Sequence, residues 1–249
     1  MEEFRIDPTI SYDVVELPSR GIYYPSGKKS LRVAYLTATD ENILSSQNLI
    51  ATNMVTEELL KRKILDRDFE VTEMVDDDKQ AVLLFLRNTA FGSEYKFNLI
   101  DPKTKEEYER IVDLSEVKFK DFTLVPDVNG EYPYRMEKTG IDITFKFLNQ
   151  KQIDDIRKIE DSWNGNGVAP VITKQLEMMI KTVAGNKDMM NTRNFIEKLP
   201  IKDSQDFRKY VKENSPKLDL KKEVNTPSGD IVQVEIGFGV EFFRPFYGL

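Results

Sequence analysis

Three consecutive aspartates, Asp76-Asp77-Asp78, form a compact set of oxygen donors, and hard divalent cations bind through several carboxylate oxygens. The spacing lacks the alternating ligands and the glycine of a calcium loop. Acids just ahead of an apolar helical run offset the partial positive charge of a helix N-terminus, and capping is the reading this triplet favours. Asp154-Asp155 and Glu160-Asp161 offer the paired carboxylates of a glycosidase, but Lys151, Arg157 and Lys158 interleave with them, the pattern of a solvated charged face. Trp163-Asn164-Gly165-Asn166-Gly167 resembles a glycine loop, yet it lacks the Lys-Ser/Thr end of a phosphate-binding loop and does not join a strand to a helix. A helix end followed by a linker is the plainer account.

The chain contains no histidine and no cysteine. That removes Ser-His-Asp and Cys-His nucleophiles, and zinc, haem and iron-sulfur sites in their usual forms. Carboxylate, Lys, Tyr, Ser or Thr chemistry is what remains, so neither catalytic residues nor cofactors nor metal ligands are expected. The formal charge is −7, with cations scattered among acids, which argues against nucleic acid as a partner. No apolar run approaches the ~20 residues of a membrane helix, and Met1-Glu2-Glu3 is acidic where a signal peptide is basic, so the expected location is the cytosol.

At 249 residues, 40% hydrophobic and 32% charged, the chain is long enough to bury a core and reads as globular. Residues 1 to 13 read as an extended arm. Leu31, Val33 and Tyr35 alternate as a strand, Leu31 to Leu36, and Thr37 with Asp40 caps the helix that follows. An irregular helical stripe runs from Leu49 to Leu65. A helix opening at Asp76 and stopped by Gly92 has too many apolar neighbours, Val82 to Leu86, for a surface position, which makes it the centre of the first core. Tyr95 to Ile100 and Tyr108 to Leu114 form a hairpin around Asp101-Pro102-Lys103-Thr104-Lys105.

A similar series recurs later. Ile141 to Leu148 is a strand, Asn149 with Gln152 caps a helix to Trp163, and Pro170 leads a helix with Ile172, Leu176, Met179, Ile180 and Val183 on one face. Asp203 begins another, ending near Pro216. Leu218 to Val224 and Ile231 to Ile236 make a second hairpin around Asn225-Thr226-Pro227-Ser228-Gly229-Asp230. The expected fold is therefore α+β in two related units, 1–125 and 126–249, each with a strand, capped helices and a hairpin, arising by internal duplication. The segment near 120 to 139, with Pro126, Gly130 and Pro133, is their junction.

The tail Val240 to Leu249 holds Phe242, Phe243, Arg244, Phe246 and Tyr247. Aromatic residues and Arg dominate binding hot spots, so these five are the candidate partner-binding residues. The alternative reading, that Phe242 and Phe246 seal the second core, stays open.

Several stretches together resemble baseplate proteins of T-even-like contractile-tailed bacteriophages, including hub components and hub assembly factors. They are Leu17-Pro18-Ser19-Arg20-Gly21 with Tyr23-Tyr24-Pro25, Leu31-Arg32-Val33 leading to Leu36-Thr37-Ala38 and Asp40 to Leu44, Leu86-Arg87 with Gly92, Asp113-Leu114, Leu199-Pro200 with Asp203-Ser204, and Gly239 to Pro245. The resemblance spans nearly the whole chain. Many such proteins carry cysteine pairs at the two hairpin turns, where they bind zinc as small knuckles. Here Asp101-Pro102-Lys103-Thr104 and Thr226-Pro227-Ser228-Gly229 stand instead, implying degenerate, metal-free hairpins.

What the resemblance implies is a chaperone-like assembly factor for the baseplate hub in the host cytoplasm, produced late in infection. A stoichiometric hub component of the virion baseplate is the alternative, and a carboxylate-dependent wall hydrolase a remote one. The implied partners are other hub or tail proteins, including the tape-measure protein, with no nucleic acid and no membrane; the oligomeric state is left open.

Overall fold

The computed structural model describes residues 9–163 and 167–243. The chain forms two compact units, residues 1–120 with 217–249, and residues 121–216. It crosses between them twice, near 120 and near 216, rather than once near 125. The second hairpin consequently sits in the first unit, and one hairpin per unit is not what forms.

In the first unit, β1 (Tyr12–Glu16) pairs antiparallel with β2 (Ser30–Ala34), Val14 opposite Arg32. Part of the expected arm is thus a strand. The chain then passes through a short 3₁₀ turn (Ala38–Asp40) into α1 (Glu41–Leu44). The Asp40 carboxylate accepts the Thr37 amide at 2.7 Å, as the Thr-Asp spacing predicts. The irregular stripe resolves into α2 (Gln47–Ala51) and α3 (Val55–Lys63), broken where Asn53 takes a left-handed φ of 56°.

Helix α4 (Asp76–Phe91) ends at Gly92, whose φ of 80° reverses the chain. Ala81, Val82, Leu83, Leu84 and Leu86 are all buried, and around them lie Leu17, Leu31, Val33, Leu59, Leu60, Met74 and Leu114. Packing on several sides explains the run of adjacent apolar residues.

Strands β3 (Glu94–Ile100) and β4 (Glu107–Asp113) form the first hairpin. Leu218, Leu220 and Ile236 return the chain to the first core, framing the second hairpin. A two-stranded ribbon cannot bury its own apolar face. These two hairpins bury one another's, through Val112, Val224 and Val234 with Phe97, Leu99 and Val232 around them.

The second unit holds β5 (Tyr132–Arg135), β6 (Asp142–Phe145), α5 (Gln150–Ser162), α6 (Val171–Met179) and β7 (Ile180–Val183), then α7 (Met189–Glu197) and α8 (Ile201–Glu213). Its sheet runs β5-β6-β7, antiparallel throughout. The second hairpin of the first unit follows as β8 (Lys221–Asn225) and β9 (Ile231–Glu235). Asn149 and Gln152 cap α5 reciprocally, as their spacing predicts. The helix expected to continue through Val183 stops at Met179, because Ile180, Thr182 and Val183 pair with β6 instead. Tertiary pairing overrides the local helical period there. Phe145, Phe207, Ile143, Leu176, Met179 and Ile196 form the core, Phe145 meeting Phe207 edge-on at 5.3 Å.

The result is a mixed α and β protein with small antiparallel sheets. Among the described residues no helix is long and apolar enough to cross a membrane.

Candidate functional site

The segment between β1 and β2 is a series of tight turns. Leu17 N donates to Lys29 O at 2.8 Å, Arg20 N to Leu17 O at 3.0 Å, Ile22 N to Ser19 O at 3.2 Å and Gly27 N to Tyr24 O at 2.9 Å. Arg20 and Gly21 both take positive φ, 51° and 82°, as the central residues of a type I′ turn must. A Cβ on Gly21 would lie 2.4 Å from the Gly27 carbonyl oxygen, so only glycine fits.

One carboxylate fastens this ribbon to α4. Asp78 accepts Ser19 N at 2.9 Å through one oxygen and the Tyr24 hydroxyl at 2.5 Å through the other. Tyr24 in turn receives Val75 N at 3.3 Å and meets Phe69 edge-on at 4.9 Å. Burial, then the Asp78 charge, pushes the Tyr24 phenol far up, so it stays a proton donor. Asp78 itself is raised by burial, against the opposing pull of Ser19 and Tyr24. Its neighbour Asp77 is pushed up to about 6, chiefly by burial; Lys217 opposes the shift while Asp78 and Asp76 add to it. The triplet therefore divides its labour: Asp76 is exposed, Asp77 partly buried, and Asp78 a tether between elements 59 residues apart.

A second carboxylate joins the hairpin tips. Asp101 is buried and accepts Lys103 N at 2.8 Å and Thr104 N at 3.2 Å from its own turn. It also accepts Ser228 N at 3.0 Å and Ser228 Oγ at 2.9 Å from the other hairpin. Burial works to raise it, but these amides outweigh burial and hold it down at about 2. Lys103 adds an ion pair to Asp230 at 2.7 Å. Two carboxylates, hydroxyls and a lysine make no zinc set, which calls for thiolate or imidazole. The two turns do not fit the zinc that cysteine pairs at these positions would bind. Among the described residues no group of three or more acids could hold a metal.

Of the aromatic tail, Phe242 and Phe243 lie within the described residues, and Phe242 is a core residue, as the alternative reading has it, but in the first core and not the second. Phe242 and Phe243 are 1% and 0% exposed, in the core of the first unit. Phe242 packs on Phe238 at 4.7 Å and Tyr95 at 5.5 Å, with the buried Arg87 guanidinium 5.7 Å from its ring. Arg87 also donates to the Gly92 and Glu94 carbonyls, the latter at 2.7 Å, closing the end of α4. Phe242 and Phe243 therefore have no surface to offer a partner. Arg244, Phe246 and Tyr247 lie outside the described residues, as do Asn164, Gly165 and Asn166 of the glycine loop.

The acids of α5 form a solvated face: Asp154 lies 3.6 Å from Arg157, and Asp155 3.3 Å from Lys158. Two shallow depressions mark the second unit. One, of about 350 Å³, is lined by Tyr134, Arg135, Asp142 and Thr182, and its carboxylate, Asp142, is paired with Arg135 at 2.9 Å. The other, of about 280 Å³, is lined by Ile172, Leu176, Ile196, Ile201 and Arg208. Neither brings two carboxylates together.

The ribbon between β1 and β2 and the tips of the two hairpins are thus chain reversals closed by polar clamps, Asp78 at the first and Asp101 at the second. The family model for the T4 bacteriophage base plate protein matches residues 19–244. The chain belongs to the T4 bacteriophage base plate protein family. No curated protein and no solved structure matches it. In this base plate protein the residues sequence reasoning missed are Asp101 and the far partners of Asp78. An Asp opening an Asp-Pro turn signals a local cap; nothing in the sequence pairs it with Ser228, 127 positions away.

Proposed function

We propose that this base plate protein acts in building the tail hub as a chaperone-like assembly factor, working through contacts with other hub and tail proteins rather than through turnover. The observation that carries the reading is the use of its buried charge. Asp78, Asp101, Asp203 and Arg87 each brace a turn or a helix end, Asp203 by accepting the amides of Lys138 at 2.8 Å and Thr139 at 3.0 Å. Such bracing holds a surface in fixed shape, as a preorganised docking contact requires. The hairpins are metal-free counterparts of the zinc-bearing ones, with Asp101 tying the tips.

Net charge of −7 supports the transient role, since self-repulsion keeps free copies dispersed until a partner is met. Arg244, Phe246 and Tyr247 follow directly on the buried Phe242 and Phe243 and supply an aromatic docking segment, the tape-measure protein being one partner. Mass spectrometry of purified virions beside infected-cell lysate tests the choice: presence in lysate and absence from particles is expected. Recovery in stoichiometric amounts from particles would make it a structural hub component instead. Deleting residues 244–249 is expected to abolish partner capture with the circular dichroism spectrum unchanged, whereas Phe242→Ala costs the fold about 3–5 kcal/mol.

A further inference from the structure

We infer that Arg20 is a docking residue, presented by the braced turn between β1 and β2 to a carboxylate-bearing surface of another tail protein. The inference rests on the proposed role in assembly and names the surface and the chemistry by which it meets its partner.

Arg20 occupies a backbone position it does not suit. Its φ of 51° lies in the left-handed region, where a side chain costs about 1 kcal/mol and where type I′ turns prefer Asn or Gly. The fold enforces that conformation through Ser19 and Tyr24 on Asp78 and through Gly21 against Gly27. In return the Arg20 side chain braces nothing among the described residues. It is exposed, and among the described residues it makes no hydrogen bond, ion pair or ring contact. A strained backbone displaying an idle guanidinium on a rigid frame is what a preorganised binding contact requires.

Local charge and polarity set the partner's chemistry. Residues 17–29 carry Arg20, Lys28 and Lys29 and no acid, in a chain that is acidic overall. Lys28 is occupied by Asp66 at 2.9 Å and Asp68 at 2.6 Å. The charged ends of Arg20 and Lys29 make no ion pair among the described residues, and Ile22, in the same turn, is 39% exposed. A planar guanidinium matches a carboxylate through two parallel hydrogen bonds, and an adjoining isoleucine favours a protein surface over a nucleic acid backbone.

Arg20→Gly in the full chain separates fold from function. The glycine variant is expected to melt at or above the parent temperature, because left-handed strain is relieved. In cells infected with phage lacking this gene, it is expected to restore infectious particles at least roughly tenfold less well than the parent. Arg20→Glu is expected to do worse, with suppressors arising as acid-to-base changes in another tail gene. A lower melting temperature for Arg20→Gly would make the guanidinium structural, and full complementation would deny it a docking role. Phage DNA retarded by the parent chain but not by Arg20→Gly would reassign the residue to nucleic acid. If deleting the gene leaves particle yield intact, the assembly reading fails, and this inference with it; a defective deletion rescued by Arg20→Gly sinks the inference alone.

Discussion

Asp77 shows how a carboxylate in the first turn of a helix can cost stability. Its folded pKa of about 6 lies above the ~3.9 of an unfolded aspartate. Below about pH 4 both states hold the proton and the penalty is absent. Between about pH 4 and 6 the unfolded chain gives up the proton while the folded chain holds it, so stability falls across that range and levels off above it. Allowing for water screening, the loss at pH 7.5 is about 1–2 kcal/mol. Asp77→Asn is therefore expected to raise the melting temperature at pH 7.5, the gap closing toward pH 4; thermal melts across that range check it. A gap independent of pH would mean that Asp77 ionises normally.

Among elements, the hairpin pair depends on Asp101. Its folded pKa lies below the unfolded value, so the stability it contributes is complete above about pH 4 and is lost as pH falls through about 2. Asp101→Ala is expected to release the tips, with the amides of Lys103, Thr104 and Ser228 exchanging faster by hydrogen-exchange measurement. Protection along α4 should persist, because Ala81 to Leu86 pack in a different cluster. Equal loss of protection in α4 would show that the two hairpins and the main core open as one cooperative unit.

The whole molecule is organised by a nested chain path rather than by two consecutive halves. Lys120 N donates to Lys217 O at 2.8 Å, and Phe119 bridges Leu218, so the exit from the first unit and the return to it run side by side. Replacing residues 121–216 by a short glycine linker is expected to leave the first unit folded, with a single cooperative melt and α4 intact by circular dichroism. Residues 121–216 alone contain a complete core around Phe145 and Phe207 and should melt cooperatively as well. Failure of the linked first unit to fold would mean that its core needs the inserted segment.

Local patterns declared most of the elements. The Asp76 to Gly92 helix, the Thr37 and Asn149 caps and both hairpins follow from side-chain period and turn chemistry acting over a few residues. Composition removed histidine and cysteine chemistry before any fold was known. Contacts between distant residues could be decided only in three dimensions. Asp78 reaches Ser19 and Tyr24, Asp101 reaches Ser228, Phe242 enters the first core, and Ile180 to Val183 leave a helical period to complete a sheet. Propensity and capping are short-range effects written along the chain, whereas burying an apolar face or a charge requires a partner, and folding chooses that partner.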